Sequence, residues 1–174
     1  SHNPQLGLLQ CNTNYTGNLD NFRYLHLRVL ERYQEEFPQI VLGLSDHTPG
    51  HAAVLGAVAL GARIVEKHFT DDNNRVGPDH GFSMTPSSWR EMVDRTRELE
   101  FGLGTKEKKV EANEVDTVVV QRRGIYLAIG LNAGDKIEEK HLSMLRPCPE
   151  GAFAPYQKAE VIGRSLKKSL KAGA

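Results

Sequence analysis

The sequence predicts an α/β fold in which a parallel sheet is followed by a small, β-rich second domain. Over the first hundred residues, short apolar runs alternate with segments of helical spacing, a pattern typical of repeated strand–helix units. The apolar runs are continuous, as expected of strands that helices cover. Beyond residue 116, helical spacing gives way to short strands and turn residues. We therefore expect domains at 1–106 and 117–174, joined by a charged linker at 107–116.

The first domain is expected to contain three strands, each a short apolar run: 6–11, 40–45 and 63–68. Helices follow each strand, at 18–37, at 50–61 and from Thr85 to the glycines at 102–104. Asn18 or Asp20 caps the first helix and Pro38 ends it. Thr85 caps the third helix, with Pro86 at its first position. The apolar stripe of this helix predicts an inner face of Trp89, Met92, Val93, Thr96, Leu99 and Leu103.

The second domain is predicted from three short apolar runs: 118–120, 125–129 and 142–145. Each run is interpreted as a β-strand. Turns are marked by Gly134, Pro147, Pro149, Gly151 and Pro155. A domain of this size is too small to bury an extensive core of its own.

The composition excludes several classes of protein. The 174 residues include 22 basic and 22 acidic side chains, so the net charge is +0, which argues against nucleic acid as the main partner. Apolar runs stay far below the roughly 18–20 residues that span a bilayer, so we expect no membrane helix. The two cysteines, Cys11 and Cys148, lie too far apart for a disulfide framework or a zinc motif. They suit a reducing compartment, and without a secretory leader pattern we expect a cytoplasmic protein.

Two histidines follow neighbouring strands of the predicted sheet. His47 and His68 are one strand–helix unit apart, so they are expected at equivalent points on strands about 4.8 Å apart. Ligands bind at the carboxyl ends of parallel strands, and two imidazoles there can hold one divalent ion. Glu66 and Asp79 would complete its coordination directly or through water, a set that suits Mn²⁺, Fe²⁺, Co²⁺ or Zn²⁺. The alternative is that both histidines are hydrogen-bonded loop residues.

Other polar residues belong to the same expected edge. Ser45, Thr13 and Asn12 offer hydroxyl and amide groups that suit a phosphate or carboxylate, although such residues more often form turns and caps. The long loop at 69–84 carries Gly-Pro-Asp-His at 77–80. Long loops in compact domains are often functional, but a glycine and a proline also shape turns, and both interpretations stay open here.

Several motifs in order and spacing resemble one known family. They are Gly-Leu-Ser-Asp-His-Thr at 43–48, Gly-Ala-Val-Ala-Leu-Gly-Ala at 56–62, Glu-Lys-His-Phe-Thr at 66–70 and Gly-Pro-Asp-His at 77–80. Paired arginines at 122–123, Leu-Arg-Pro at 145–147 and Val-Ile-Gly-Arg at 161–164 extend the pattern. Together these closely resemble the sialic acid (N-acetylneuraminate) synthases, including those of legionaminic and pseudaminic acids. The second domain resembles the antifreeze-like SAF domain of these enzymes.

The resemblance implies a fold and a reaction. The fold is a (β/α)₈ TIM barrel followed by an SAF domain of the β-clip type, and residues 1–106 would supply the last three strand–helix units. The chain would then be an incomplete portion, and we expect it to be inactive alone. The reaction is that of a transferase, which condenses phosphoenolpyruvate with an N-acylated mannosamine-type sugar and water. It breaks the C–O bond of phosphoenolpyruvate and yields a nonulosonic acid and phosphate.

The resemblance also implies roles for individual residues. The metal ligands are His47 and His68, the phosphoenolpyruvate contacts are Ser45 and Thr13, and the sugar contacts are Tyr15, Asp79 and Arg146. Glu66 and Asp79 match acidic catalytic residues around the metal and the sugar. The implied cofactor is Mn²⁺, with Mg²⁺, Co²⁺, Fe²⁺ or Zn²⁺ as other candidates. The implied assembly is a domain-swapped homodimer, in which Arg146 reaches the barrel of the partner subunit.

Two other functions fit the same motifs. One is a different metal-dependent enzyme that condenses phosphoenolpyruvate, similar to 3-deoxy-octulosonate-phosphate synthase. Its phosphorylated sugar would need further Arg or Lys residues at the site, and the SAF-type second domain argues against it. The other is a non-catalytic sugar-binding module in which the SAF domain is the working part.

Overall fold

A computed structural model of the chain describes Asn3 and residues 5–174. The chain forms two compact units, residues 1–106 and residues 107–174. Within residues 5–174, no helix combines the length and the apolar character that crossing a bilayer requires.

The first unit is built on a three-stranded parallel sheet, which confirms the parallel sheet expected from the sequence. The strands are β1 (Gly7–Cys11), β2 (Val41–Asp46) and β3 (Ile64–Lys67), in the spatial order β1-β2-β3. The central strand β2 pairs with both neighbours. All three carboxyl ends therefore lie at the same edge of the sheet.

Three α-helices accompany the sheet: α1 (Val29–Glu36), α2 (Ala52–Ala59) and α3 (Pro86–Leu103). Leu42 and Leu44 of β2 are buried in one cluster with Val54 and Ala57 of α2 and Met92 of α3. Because side chains alternate along a strand, the other residues of β2 face the opposite side of the sheet. One face of the sheet is thus packed under helices, and Gly43 and Ser45 of β2 lie on the other face.

The single helix expected at 18–37 is wrong, because the chain forms two helical segments there. A 3₁₀ helix covers Leu19–Tyr24, and α1 begins only at Val29. His26 lies between them with a φ of 45°, and a residue in this left-handed region cannot continue a right-handed helix. Asn18 is the cap of the first segment, since its side chain accepts a hydrogen bond from the Asp20 amide at 2.9 Å.

The beginning of α3 is confirmed in detail. The Thr85 side chain accepts from the Ser88 amide at 3.3 Å, while the Ser88 hydroxyl accepts from the Thr85 amide at 2.9 Å. Met92 on the inner face is buried. Leu103 is 46% exposed, so the expected inner face ends before it.

The second unit contains a small antiparallel sheet and two short helices. Strands β4 (Gly124–Leu127) and β5 (Leu142–Leu145) pair with each other, and α5 covers Lys158–Val161. A small core is formed by Leu127, Leu131, Ile137 and Val161. The modest size of this core agrees with the size of the unit.

The strand expected at 118–120 is wrong, because these residues lie in helix α4 (Val115–Gln121). A 3₁₀ turn at Ala112–Glu114 precedes α4, within the segment interpreted as a charged linker. The Glu114 carboxylate accepts a hydrogen bond from the Glu111 amide at 2.9 Å, which closes the first turn. The helix-disfavouring effect of a valine is only about 0.5 kcal/mol per residue, which is small enough for the surrounding structure to override.

Candidate functional site

Two imidazole rings lie side by side at the carboxyl edge of the parallel sheet. His47 directly follows β2 and His68 directly follows β3, and their ring centroids are 5.0 Å apart. His47 is buried and His68 is partly exposed. The pairing of the two strands brings these histidines together from positions 21 residues apart in the sequence.

The His47 ring is oriented by a backbone carbonyl. Its Nδ1 lies 2.9 Å from the carbonyl oxygen of Asn12, in the segment that follows β1. A carbonyl oxygen only accepts, so Nδ1 carries the proton and donates it in this bond. The lone pair of neutral His47 is then on Nε2, as in a histidine prepared to bind a metal ion.

The His68 ring is bordered by a carboxylate and an aromatic ring. Its Nδ1 lies 3.5 Å from Oδ2 of Asp79, and its centroid is 5.2 Å from that of Phe82. The His68 carbonyl accepts a hydrogen bond from the Met84 amide at 2.8 Å. Both ends of the long loop after β3 are therefore fastened near His68.

A network of hydrogen bonds within this loop orders the segment that carries Asp79. The Ser83 hydroxyl donates to the Asp79 carbonyl at 2.7 Å. The Asn73 side-chain amide donates to the carbonyls of His80 and Ser83, at 2.6 and 2.8 Å. The buried Thr70 hydroxyl lies 2.7 Å from Nδ1 of His80. These bonds give the loop a defined conformation, so Asp79 is presented on an ordered support.

Tyr15 completes a group of three rings. Its centroid is 4.1 Å from that of His47 and 5.5 Å from that of His68. The residue remains 51% exposed, so one side of its ring faces solvent. Tyr15 thus offers a partly free aromatic face beside the two imidazole rings.

Ser45 and Glu66 lie opposite each other on β2 and β3, two positions before the histidines. The Ser45 hydroxyl donates to Oε1 of Glu66 at 2.7 Å. Strand alternation places both side chains on the face of the sheet that lacks the helix-covered core. The hydroxyl of buried Ser45 thus holds the Glu66 carboxylate toward this face.

Two residues of the expected site take part in none of the contacts described above. Thr13 is exposed in the segment between β1 and Tyr15. Arg146 directly follows β5 in the second unit, where it is also exposed. The site geometry described above therefore rests on residues of the first unit.

The arrangement fits a divalent cation held by two protein nitrogens. In the part of the chain that the structure describes, no three His, Cys, Asp or Glu side chains converge on one point. A cation between His47 and His68 would therefore take its other ligands from water or substrate, as in catalytic sites with open positions. Asp79, beside His68, would act on the ion through water or through that histidine.

Asp46 and Lys67 are residues that sequence reasoning missed. They immediately precede the two histidines and form a buried ion pair, with Lys67 Nζ 2.6 Å from Asp46 Oδ2. A signal was present in the sequence, since three successive pairs share the 21-residue spacing: Ser45 with Glu66, Asp46 with Lys67, and His47 with His68. A buried lysine needs a partner of opposite charge, and this spacing offered Asp46.

The sequence was compared with known protein families. The NeuB family pattern matches residues 1–108, and the SAF domain pattern matches residues 122–174. The first match ends two residues after the boundary between the two units, and the second match lies within the second unit.

Individual relatives match nearly the whole chain. The N,N'-diacetyllegionaminic acid synthase of Legionella pneumophila is 36% identical over 168 residues, which are 97% of this chain and 46% of that protein. The mouse N-acetylneuraminate-9-phosphate synthase is 30% identical over 168 residues, 97% of this chain and 45% of that protein. The crystal structure of Bacillus subtilis SpsE, a spore coat polysaccharide biosynthesis protein, has a TM-score of 0.50 at 30% identity. It covers 98% of this chain and 51% of that one. The chain thus spans about half the length of these relatives.

Proposed function

Because this chain belongs to the NeuB family, we propose that it carries the cation-binding part of a synthase that makes a nonulosonic acid. The substrates are phosphoenolpyruvate and an N-acylated mannosamine-type sugar. The relatives named as legionaminic and neuraminate-phosphate synthases support this class of product. The proposal includes the barrel: the three strands would be the last three of a (β/α)₈ fold, and the second unit an SAF domain of β-clip type.

The proposed reaction balances as follows. C3 of phosphoenolpyruvate attacks the aldehyde carbon of the open-chain sugar and forms the new C–C bond. Water adds to C2, and the proton it loses is balanced by the proton that the new alkoxide takes up. The C2–O bond then breaks, phosphate leaves with the bridging oxygen and takes up the C2 hydroxyl proton, and C2 becomes a ketone. A bound divalent cation, Mn²⁺ in this proposal, supplies Lewis-acid polarisation of the aldehyde oxygen.

One observation carries the proposal: His47 and His68 present neighbouring rings at the carboxyl edge of a parallel sheet. The Asn12 carbonyl holds His47 so that its Nε2 is available to the ion. Asp79 stands beside His68, where its carboxylate can hold a substrate hydroxyl or accept a proton. Mg²⁺, Co²⁺, Fe²⁺ and Zn²⁺ are the other ions that these ligands suit.

The remaining residues are proposed to bind substrate. Tyr15 packs against the sugar, since its ring borders both histidines and keeps one side free. Ser45 and Thr13 contact phosphoenolpyruvate, and Glu66, held by Ser45, takes the proton of the attacking water or stabilises positive charge at C2. Arg146 binds the acyl group of the sugar across a domain-swapped homodimer.

The site of action is proposed to be the cytoplasm, where the unpaired thiols of Cys11 and Cys148 would stay reduced. We also propose that residues 1–174 alone do not turn over, because three strands cannot close a barrel. The dimer is tested by light scattering on the full-length gene product. A monomer at micromolar concentration would contradict it.

The first experiment measures Mn²⁺ binding by electron paramagnetic resonance, which counts the free ion. Wild-type protein is expected to bind one ion, and the His47→Ala, His68→Ala double variant to bind none. His51→Ala is the matched control, since it removes a neighbouring histidine for which the structure shows no side-chain cap bond. Equal binding by wild type and the double variant would refute the two-histidine site. Sugar binding without any Mn²⁺ binding would favour the non-catalytic module.

The second experiment measures phosphate release by the full-length gene product, with phosphoenolpyruvate and a panel of N-acyl sugars. Phosphoenolpyruvate labelled with ¹⁸O at the bridging position should deliver the label to phosphate, because the C–O bond breaks. The 174-residue chain is assayed in parallel and should release none. Activity only with a phosphorylated five-carbon sugar would instead favour the 3-deoxy-octulosonate-phosphate type of synthase, and no release with any sugar would refute the proposal.

A further inference from the structure

A buried ion pair joins the central strand β2 to its neighbour β3, one residue before the histidines. Lys67 Nζ donates to Asp46 Oδ2 at 2.6 Å, and the two side chains are 2% and 0% exposed. Asp46 on β2 and Lys67 on β3 are direct neighbours in the strand register. The link therefore fastens the two strands to each other at the point where each continues into a histidine.

Thr48 closes the same network on the other side of His47. Its amide and its hydroxyl both donate to Asp46 Oδ1, at 2.9 and 2.7 Å. Its carbonyl accepts a second hydrogen bond from Lys67 Nζ at 2.6 Å. The residues before and after His47 are thus held by the same lysine, which belongs to the strand that carries His68.

The network lies on the opposite side of the backbone from the rings. Leu44 is buried in the helix-covered core, so strand alternation directs Asp46 to that side. The same reasoning applies to Lys67, two positions after Val65, which packs against that core. The network can therefore control the separation of the two rings while staying out of the substrate space.

Stability alone is a poor explanation for this pair. Burying two charges is costly, and apolar side chains of similar size often hold a core equally well or better. The two short, directional hydrogen bonds of Lys67 instead define the register of the two strands and the distance between them.

We propose that Asp46, Lys67 and Thr48 are positioning residues that set the spacing and orientation of the His47 and His68 rings for one shared cation. The proposal rests on the function proposed above, in which these rings bind the ion. Its consequence is that altering the network weakens ion binding although none of its side chains touches the ion.

The main test removes both charges together, in the Asp46→Asn, Lys67→Met double variant. The introduced asparagine would keep an acceptor for the Thr48 donors, and no unpaired charge would remain buried. Thr48→Val removes only the hydrogen bond of the Thr48 hydroxyl and is used if the double variant does not fold. Thr48→Ser is its conservative rescue. Leu30→Ala is the matched control, because it weakens the same buried core without removing any group of the network.

Two readouts are taken on the full-length gene product. The first is Mn²⁺ affinity, which we expect to fall 10- to 100-fold in the double variant, the usual effect of removing support behind metal ligands. The second needs no metal: the nuclear Overhauser effect between the two rings, together with the exchange rate of the His47 Nδ1 proton. We expect a weaker effect and faster exchange in the double variant. Thr48→Val should change both readouts in the same direction, and Thr48→Ser should restore them.

The outcomes separate the two proposals. If Leu30→Ala lowers affinity as much as the network variants at equal loss of stability, the network is merely structural and the proposal is overturned. Affinity and ring contacts within twofold of wild type in the double variant, or in Thr48→Val if only that folds, also overturn it. If wild type binds no Mn²⁺, the proposed function fails, and the metal-free ring contacts still decide whether the network positions the rings.

Discussion

Replacing Gly43 with alanine should destabilise the first unit, although the same substitution elsewhere in this unit should stabilise it. Gly43 lies in the middle of the central strand, with Leu9 and Ile64 as its register neighbours. A β-carbon at this position would lie 2.6 Å from the Ile64 carbonyl oxygen and 2.8 Å from Cγ of Leu9. Both neighbouring strands therefore restrict the space for a methyl group.

The magnitude follows from these distances. Ordinary contacts begin at 3.4 Å, so the Ile64 carbonyl would need to move by about 0.8 Å. A backbone carbonyl in a sheet cannot move that far without lengthening its hydrogen bonds beyond the normal range. Overpacking of this kind costs about 1–3 kcal/mol, and the lower entropy of unfolded alanine offsets about 0.4–1 kcal/mol. We expect a net loss of about 1–2 kcal/mol, or roughly 5–15 °C in Tm.

The assay is urea unfolding followed by the fluorescence of Trp89, the single tryptophan, which packs against the core of the first unit. Gly102→Ala is the matched control. It lies in α3, where nothing approaches within 4 Å of an added β-carbon, so a gain of about 0.4–1 kcal/mol is expected. If Gly43→Ala were as stable as Gly102→Ala, the argument from strand spacing would be refuted.

Three further predictions concern other elements. Thr85→Ala should lower the free energy of unfolding by about 1 kcal/mol in the same assay, because it removes the cap of α3. Thr85→Ser should lower it much less. Equal losses in the two variants would contradict the capping role of Thr85. Lys67→Met alone should lower the free energy of unfolding by about 3–5 kcal/mol, because it leaves the Asp46 carboxylate buried without its cation. Adding Asp46→Asn should recover much of that loss. A double variant no more stable than Lys67→Met would argue against the buried ion pair. A side-chain hydrogen bond from Lys158 lowers the pKa of Glu139, so this pair stabilises the fold at neutral pH, and its contribution is lost as acidification protonates Glu139. In Lys158→Ala the pKa of Glu139 should rise toward its ordinary value in a ¹³C titration, and an unchanged titration would show that the pair does not form.

Much of the first unit could be predicted because its signals are local. Continuous apolar runs indicated the three strands, and the Thr85 cap with Pro86 indicated where α3 begins. The segment after β1 was harder, because its apolar stripe continues across His26 while the backbone there turns left-handed. Periodicity describes side-chain spacing and carries little information about a single backbone reversal.

In the second unit, the local sequence signal gave a wrong prediction. A run of valines predicts a strand, but a strand also needs a partner for its hydrogen bonds. Residues 118–120 lie in helix α4, which directly continues the turn at Ala112–Glu114. Where tertiary context decides between helix and strand, residue preferences of a few tenths of a kcal/mol are overridden.

The candidate site, too, could be predicted only in part. That His47 and His68 would stand on neighbouring strands follows from the chain alone, because one strand–helix unit separates them. The Asn12 carbonyl that orients His47, and the ion pair of Asp46 with Lys67, depended on the fold. These partners are 35 and 21 residues apart. The amino-acid sequence was enough to predict that His47 and His68 end successive strands, because hydrophobic periodicity locates each strand. The orientation of the two rings came from the folded chain, because a hydrogen bond depends on distances of tenths of an ångström between distant parts of the chain.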